Sequence, residues 1–278
     1  MNTHTTAHSL DDALALTQIE PGHYQGRTTE AYWNMVGPYG GITAATLVQA
    51  ILQHPECLGD PLSISINYAA ALAAGPFTLQ ATPVRTNRST QHWTLSLQQN
   101  DANGEAVVTT TATAVTALRR ETWGASDLPM PTVPAPQHTE PTPIHPAAPQ
   151  WIHRYEMRML DGGLPRRWDG SGEDSLTRLW VRDAEPRALD FPALAAVADV
   201  FFPRVWLRRA THVPAGTVSM TVYFHASPAQ LQATGSGHVL AQARGQQFGN
   251  GFFDQTAQLW NADGTVLATS HQIVYFKA

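Results

Sequence analysis

The chain has 278 residues, 43% of them hydrophobic and only 14% charged, with a formal net charge of -5 at pH 7. That length suits one large domain or two small ones, and either can bury a sizeable core. The mild acidity argues against a nucleic-acid binder, which gathers Lys and Arg on one face to neutralise phosphates. A single cysteine, Cys57, leaves no partner for an internal disulfide. The opening "MNTHTTAHSLDDALAL" has no basic n-region and no sustained apolar run, so it does not read as a signal peptide. No window reaches the roughly eighteen apolar residues of a membrane span. A cytoplasmic protein is the expectation, with neither membrane nor nucleic acid as partner.

In chain order, the first strongly apolar element is "GGITAATLVQAILQ" (40–53), a helix entered through "GPYGG". "SISINYAAA" (63–71) alternates as a strand, and "FTLQATPVRTN" and "TQHWTLSLQQ" continue the pattern. In "NDANGEAVVTTTATAV" (100–115) an Asn-Gly turn precedes alternating Val and Thr, the signal of a hairpin and a half-buried strand. "LPMPTVPAPQHTEPTPIHPAAPQ" (128–150) is rich in proline and lacks periodicity, so it reads as an extended linker over the surface.

Beyond the linker, "WIHRYEMRML" and "TRLWVRDA" (151–183) add strands. "LDFPALAAVADVFFPRVW" (189–206) reads as one short helix, capped by Asp190, with Pro192 in its first turn and Pro203 as its breaker. About twelve residues at 1.5 Å each make a rod of roughly 18 Å. It is apolar on nearly every side, yet Asp199 lies near its middle. "VSMTVYFHA" (218–226), "HVLAQARGQQ", "FDQTAQLWN" and "NADGTVLATSHQIVYF" (261–276) are strands, the last entered through an Asp-Gly turn.

The two halves repeat each other. The helices, the strands ending in Tyr-Ala-Ala and Tyr-Phe-His, and the final hairpins match in the same order at an offset of roughly 150–160 residues. Each half therefore reads as a helix wrapped by a twisted antiparallel sheet, an α+β layout. The expected division is 1–118 for the first unit, 119–150 for the linker and 151–278 for the second.

A buried, ionised carboxylate without partners costs several kcal/mol. Asp199 therefore either faces solvent at a gap in the sheet or serves as a base with a raised pKa. The repeat, the "GPYGG" entry and the placement of Asp199 resemble the double-hotdog acyl-CoA thioesterases, the bacterial thioesterase II type above all. The likeness runs in patches from about residue 25 to the end, the linker excepted. It implies two tandem hotdogs and hydrolysis of a fatty acyl-CoA by a water held by Asp, Thr and Gln. Those residues fall on Asp199, Thr217 (eight residues before His225) and Gln272 in "LATSHQIVYF". Aligned on the turn glycines, Gln272 is matched in the first half by Ala112, and Asp199 by Thr46 or Leu47, so one working site per chain is expected.

Thioester hydrolysis also needs donors where the oxyanion forms, and a glycine-rich helix start presents free N–H groups. Gly40, Gly41 and Ile42 are the candidates. For coenzyme phosphates the candidates are Arg85 and Arg88 in "VRTNRS" and Arg204, Arg208 and Arg209 in "PRVWLRRATH". No cofactor or metal is expected: the twelve histidines are scattered, with no H-E-x-x-H or Cys/His spacing. A G-x-S-x-G elbow and a dinucleotide motif are also absent. Two other readings stand: a hotdog hydratase-dehydratase using His225, His238 or His271 with Asp199, and a non-catalytic acyl-thioester-binding protein. Edge strands of such sheets associate, so a homodimer or higher oligomer is expected.

Overall fold

The computed structural model describes residues 8–277. The first half comprises α1 (Ser9–Ala13), β1 (Thr17–Glu20), β2 (His23–Arg27), α2 (Gly40–Gln53), β3 (Asp60–Tyr68), β4 (Pro76–Thr86), β5 (Thr90–Asn100) and β6 (Ala106–Ala117). The second comprises β7 (Tyr155–Asp161), β8 (Thr177–Asp183), α3 (Phe191–Val197), α4 (Arg204–Arg209), β9 (Ala215–Phe224), α5 (Pro228–Thr234), β10 (Val239–Arg244), β11 (Phe248–Gly249), β12 (Phe252–Trp260) and β13 (Val266–Phe276).

All the ladders are antiparallel and join into one sheet whose central seam is β3 against β9. Outward from that seam the first half runs β6, β5, β4, β2, β1 and the second runs β13, β12, β10, β8, β7. The path is the same on both sides, so the fold is a double hotdog: two helices, α2 and α3, packed against each other inside a shared sheet. Alternation explains the strands. On β13, Ala268, Ser270, Gln272, Val274 and Phe276 face inward, while His271, Ile273 and Tyr275 face out.

Residues 119–150 cross the outer face of the second half with little regular structure. The segment is held by the indoles of Trp180 and Trp260, which donate to Pro134 O (2.9 Å) and Leu128 O (3.3 Å). Met130 and Val133 pack on the same two rings. Cys57 is a half-buried thiol whose pKa is pushed up by burial.

The second helix departs from its reading as one rod over 189–206. Asp190 caps it by accepting from Ala193 N (2.8 Å), and Pro192 lies in its first turn. However, α3 ends at Val197, so Asp199 lies beyond the helix in a tightened turn. The bonds there shorten to Asp199 N–Ala196 O (3.1 Å) and Val200 N–Val197 O (3.3 Å). Hydroxyls from other elements capture the carbonyls that a further turn would use: Tyr39 donates to Ala196 O, and Ser270 to Ala198 O (3.2 Å). Pro203 begins a separate short helix, α4. The α5 helix, carrying a full capping box between Ser227 and Gln230, was not foreseen although its Ser-x-x-Gln signature is plain.

Candidate active site

Three features of the backbone bring the functional side chains together. The turn after α3 aims Asp199 at the start of α2, where a Cβ on Gly40 would lie 2.8 Å from Asp199 Oδ2. The inward phase of β13 buries Gln272, which is only 3% exposed. Thr217 depends on an irregularity. Along β9 the inward residues are Met220, Val222 and Phe224, a parity that would turn Thr217 outward. The β9–β13 register slips between Ser219 and Thr217, and this bulge carries Thr217 back to the inner side.

The result is a hydrogen-bonded chain. Thr217 Oγ1 donates to Gln272 Oε1 (3.2 Å), and Gln272 Nε2 donates to Asp199 Oδ1 (2.8 Å). All three line one cavity of about 870 Å³. Most of its wall is apolar, with Phe201 and Trp206 from the α3–α4 segment and Tyr39, Trp151 and Leu72 opposite. Burial pushes the Asp199 pKa up to about 7, against the opposing pull of the Gln272 carboxamide and the Gly41 N–H. The acid also meets the N-terminal end of the fourteen-residue α2, whose partial positive charge favours its ionised form.

The first half contains the same bulge without the chemistry. Its β3–β6 register slips between Pro61 and Ser63, as β9–β13 does at Thr217, and the ladders equate Thr217 with Pro61 and Gln272 with Ala114. The turn-based match to Ala112 is therefore displaced by two residues, because beyond an equivalent bulge the first hairpin runs two ladder pairs further before its turn. An alanine stands at either position.

The helix-start donors are partly committed. Gly41 N–H serves Asp199, and Ile42 N donates to Tyr39 O (3.1 Å), which corrects its expected role as a free donor. The Gly40 N–H has neither a backbone nor a side-chain acceptor among the described residues. Arg204 is also corrected: it is fully buried, donating to Ser175 O (3.0 Å), Thr177 Oγ1 (2.6 Å) and Phe202 O (2.9 Å). It braces the cavity wall and cannot reach a phosphate in solvent. Arg85 lies at the exposed end of β4, Arg88 on the exposed β4–β5 turn and Arg208 on the solvent side of α4; none lines the cavity. His225 is bonded to Thr269, His238 to Glu156 and His271 to Asp254, so none pairs with Asp199. Among the described residues no cluster of three or more His, Cys, Asp or Glu could hold a metal, and no helix is long and apolar enough to cross a membrane.

Comparison with known proteins fits this geometry. Residues 29–117 match the acyl-CoA thioesterase N-terminal domain, and residues 127–276 match the acyl-CoA thioesterase C-terminal domain. The chain belongs to the acyl-CoA thioesterase family. It is a thioester hydrolase. No curated protein matches it. Among solved structures, a hot dog fold protein of unknown function from Alicyclobacillus acidocaldarius is 45% identical, covers 98% of both chains and superposes with a TM-score of 0.90. The acyl-CoA thioesterase II TesB2 from Mycobacterium marinum shares the fold at 16% identity (TM-score 0.75, covering 97% of this chain and 98% of that one). The dehydratase domain of the polyketide PpsC from Mycobacterium tuberculosis also shares it, at 13% identity (TM-score 0.53, 95% and 97%). The architecture is thus common to both chemistries, and side chains must separate them.

The thioesterase cavity holds two polar groups that sequence reasoning missed. Tyr68, its pKa raised well above normal by burial, donates to Gly40 O (3.0 Å) and so fixes the helix start. Gln255 is 3% exposed, pairs directly across the ladder with Gln272, and faces the cavity with no hydrogen-bond partner for its carboxamide among the described residues. Strand parity could have found it: Gln255 is the polar residue in the inward series Phe253, Gln255, Ala257.

Proposed function

We propose that this thioesterase hydrolyses a fatty acyl-CoA to free acid and CoA, with Asp199 as general base and Gln272 and Thr217 holding it and its water. The observation that carries the reading is the Thr217–Gln272–Asp199 chain at the wall of an apolar cavity. Gln272 occupies Oδ1, which leaves Oδ2, on the Gly40 side, to receive a proton from water. A carboxylate with a pKa near 7 is half ionised at neutrality and strong enough to take that proton as the water oxygen attacks the carbonyl carbon. The carbonyl oxygen, now an oxyanion, meets the Gly40 N–H and the Gln255 carboxamide, the two donors left uncommitted. When the tetrahedral adduct collapses, the C–S bond breaks and the proton held by Asp199 passes to the departing thiolate.

The apolar wall suits a hydrocarbon chain. A smaller cavity continues beneath it, sharing Pro38, Thr43 and Leu72, and ends against Phe77 and Leu97 in the first hotdog. The test is a panel of acyl-CoA chain lengths read by free thiol, run in parallel with Asp199→Asn. Thiol release that the substitution abolishes supports hydrolysis. Hydration of an enoyl-CoA with no thiol release would replace this reading with the hydratase one, and binding without any turnover would leave an acyl-binding protein.

A further inference from the structure

A second cavity, of about 690 Å³, lies beside the acyl cavity on the other side of the segment joining β7 to β8. The segment's residues divide between the two: Leu164 and Trp168 line the apolar cavity, whereas Pro165, Arg166, Arg167 and Asp169 line the polar groove. Its floor is backbone-tight. A Cβ on Gly172 would fall 2.0 Å from Leu207 O, and Gly170 N donates to Ala210 O (3.2 Å), so the segment lies directly on α4.

Three arginines and three aspartates line the groove, and they are not all paired with one another. Asp161 is paired with Arg178 (3.1 Å), Asp174 with Arg244 (3.1 Å), and Asp169 accepts from the Ser171 hydroxyl. Arg166 and Arg167 are exposed and have no carboxylate within ion-pair distance among the described residues. Arg208, on the neighbouring α4 and outside the lining, donates to the groove's Gly172 O (2.9 Å). Trp168, on the same segment as the two free arginines, lines the acyl cavity, is 45% exposed, and packs T-shaped with Trp206 (6.3 Å) and His212 (5.6 Å).

We infer that this segment seats the phosphorylated adenosine end of the coenzyme: phosphates in the groove on Arg166 and Arg167, purine on Trp168 at the border with the acyl cavity. A partly exposed aromatic ring beside unpaired guanidinium forks is a combination that holds a purine nucleotide, because base stacking and bidentate phosphate contact use separate surfaces. The arrangement also fits the shape of the substrate, with a greasy cavity for one end and a groove bearing two unpaired arginines for the other across a single segment. The inference rests on the acyl-CoA reading above and supplies the phosphate contacts that Arg204 is too buried to make.

Two measurements separate the inference from that reading. The first is direct binding of adenosine 3′,5′-bisphosphate by calorimetry, which requires no catalysis. Wild type is expected to bind it with an affinity that falls as salt rises, and Arg166→Glu/Arg167→Glu to bind at least about tenfold more weakly. The second compares KM for an acyl-CoA with KM for the same acyl-pantetheine, which lacks the nucleotide. Wild type is expected to favour the CoA ester, and both the double variant and Trp168→Ala to lose that preference. Equal KM for the two esters in wild type, or an unchanged preference in the double variant, overturns the inference even if hydrolysis is vigorous. So does a double variant impaired only on an acyl-carrier-protein thioester, which would make the groove a docking face for an acidic protein. If wild type releases thiol from neither ester yet binds the bisphosphate through Arg166 and Arg167, the hydrolytic reading fails and the groove stands.

Discussion

Replacing Asp199 with Asn should stabilise the protein increasingly as pH rises from about 4 to about 7, and by a constant amount above that. The folded-state pKa of Asp199 is about 7 against an ordinary 3.8, because burial disfavours its charge. Between those values the folded chain holds a proton that the unfolded chain has released, so wild-type stability falls as pH rises from about 4 to about 7 and is level above that. At about 1.4 kcal/mol per pKa unit the full penalty is about 4 kcal/mol, and contact of the carboxylate with the cavity reduces it to about 2 kcal/mol. Asparagine keeps the acceptor for Gln272 and carries no charge, so it escapes the penalty. Thermal melts across pH 4 to 9 should show no difference at the acid end and a Tm gain of about 5 °C for Asp199→Asn near pH 8. A gain of the same size at every pH, or a variant less stable than wild type near pH 8, refutes the reasoning, because the acid would then not be strained by burial.

Gly40→Ala puts a methyl 2.8 Å from Asp199 Oδ2 while suiting the first turn of a helix, so its Tm should hold or rise as kcat falls by about tenfold or more. Gln272→Ala should lower kcat by about a hundredfold and shift the base pKa in the pH–rate profile, since it removes the donor to Oδ1. Arg204→Lys loses the fork that serves Phe202 O, Ser175 O and Thr177 Oγ1. Urea titration should find it destabilised by about 2 kcal/mol, with no selective rise in KM for CoA esters.

The repeat and most strands of each half were legible because they rest on local signals, alternation and turn glycines; Asp199, Thr217 and Gln272 stood out only as a set implied by the family resemblance. What stayed hidden depends on contacts distant in sequence. The helix before Asp199 stops early because hydroxyls of Tyr39 and Ser270 take its carbonyls, and nothing within residues 189–206 announces that. Thr217 faces inward only through a register slip that strand parity contradicts. Arg204 reads as one of a surface cluster, yet the fold surrounds it with carbonyls. Ile42 reads as a free helix-start donor, but Tyr39 O accepts its N–H. Gln255 was overlooked for a different reason: its inward parity was visible, but no partner in the sequence drew attention to it.

The account depends above all on Asp199 acting as a base tuned by its burial, and the pH dependence of kcat/KM for CoA release tests that most directly. Wild type should climb with pH to a plateau, with a midpoint near 7, and Asp199→Asn should be slower by about a hundredfold or more and lack that step. An Asp199→Asn enzyme that keeps both the rate and the midpoint would contradict it.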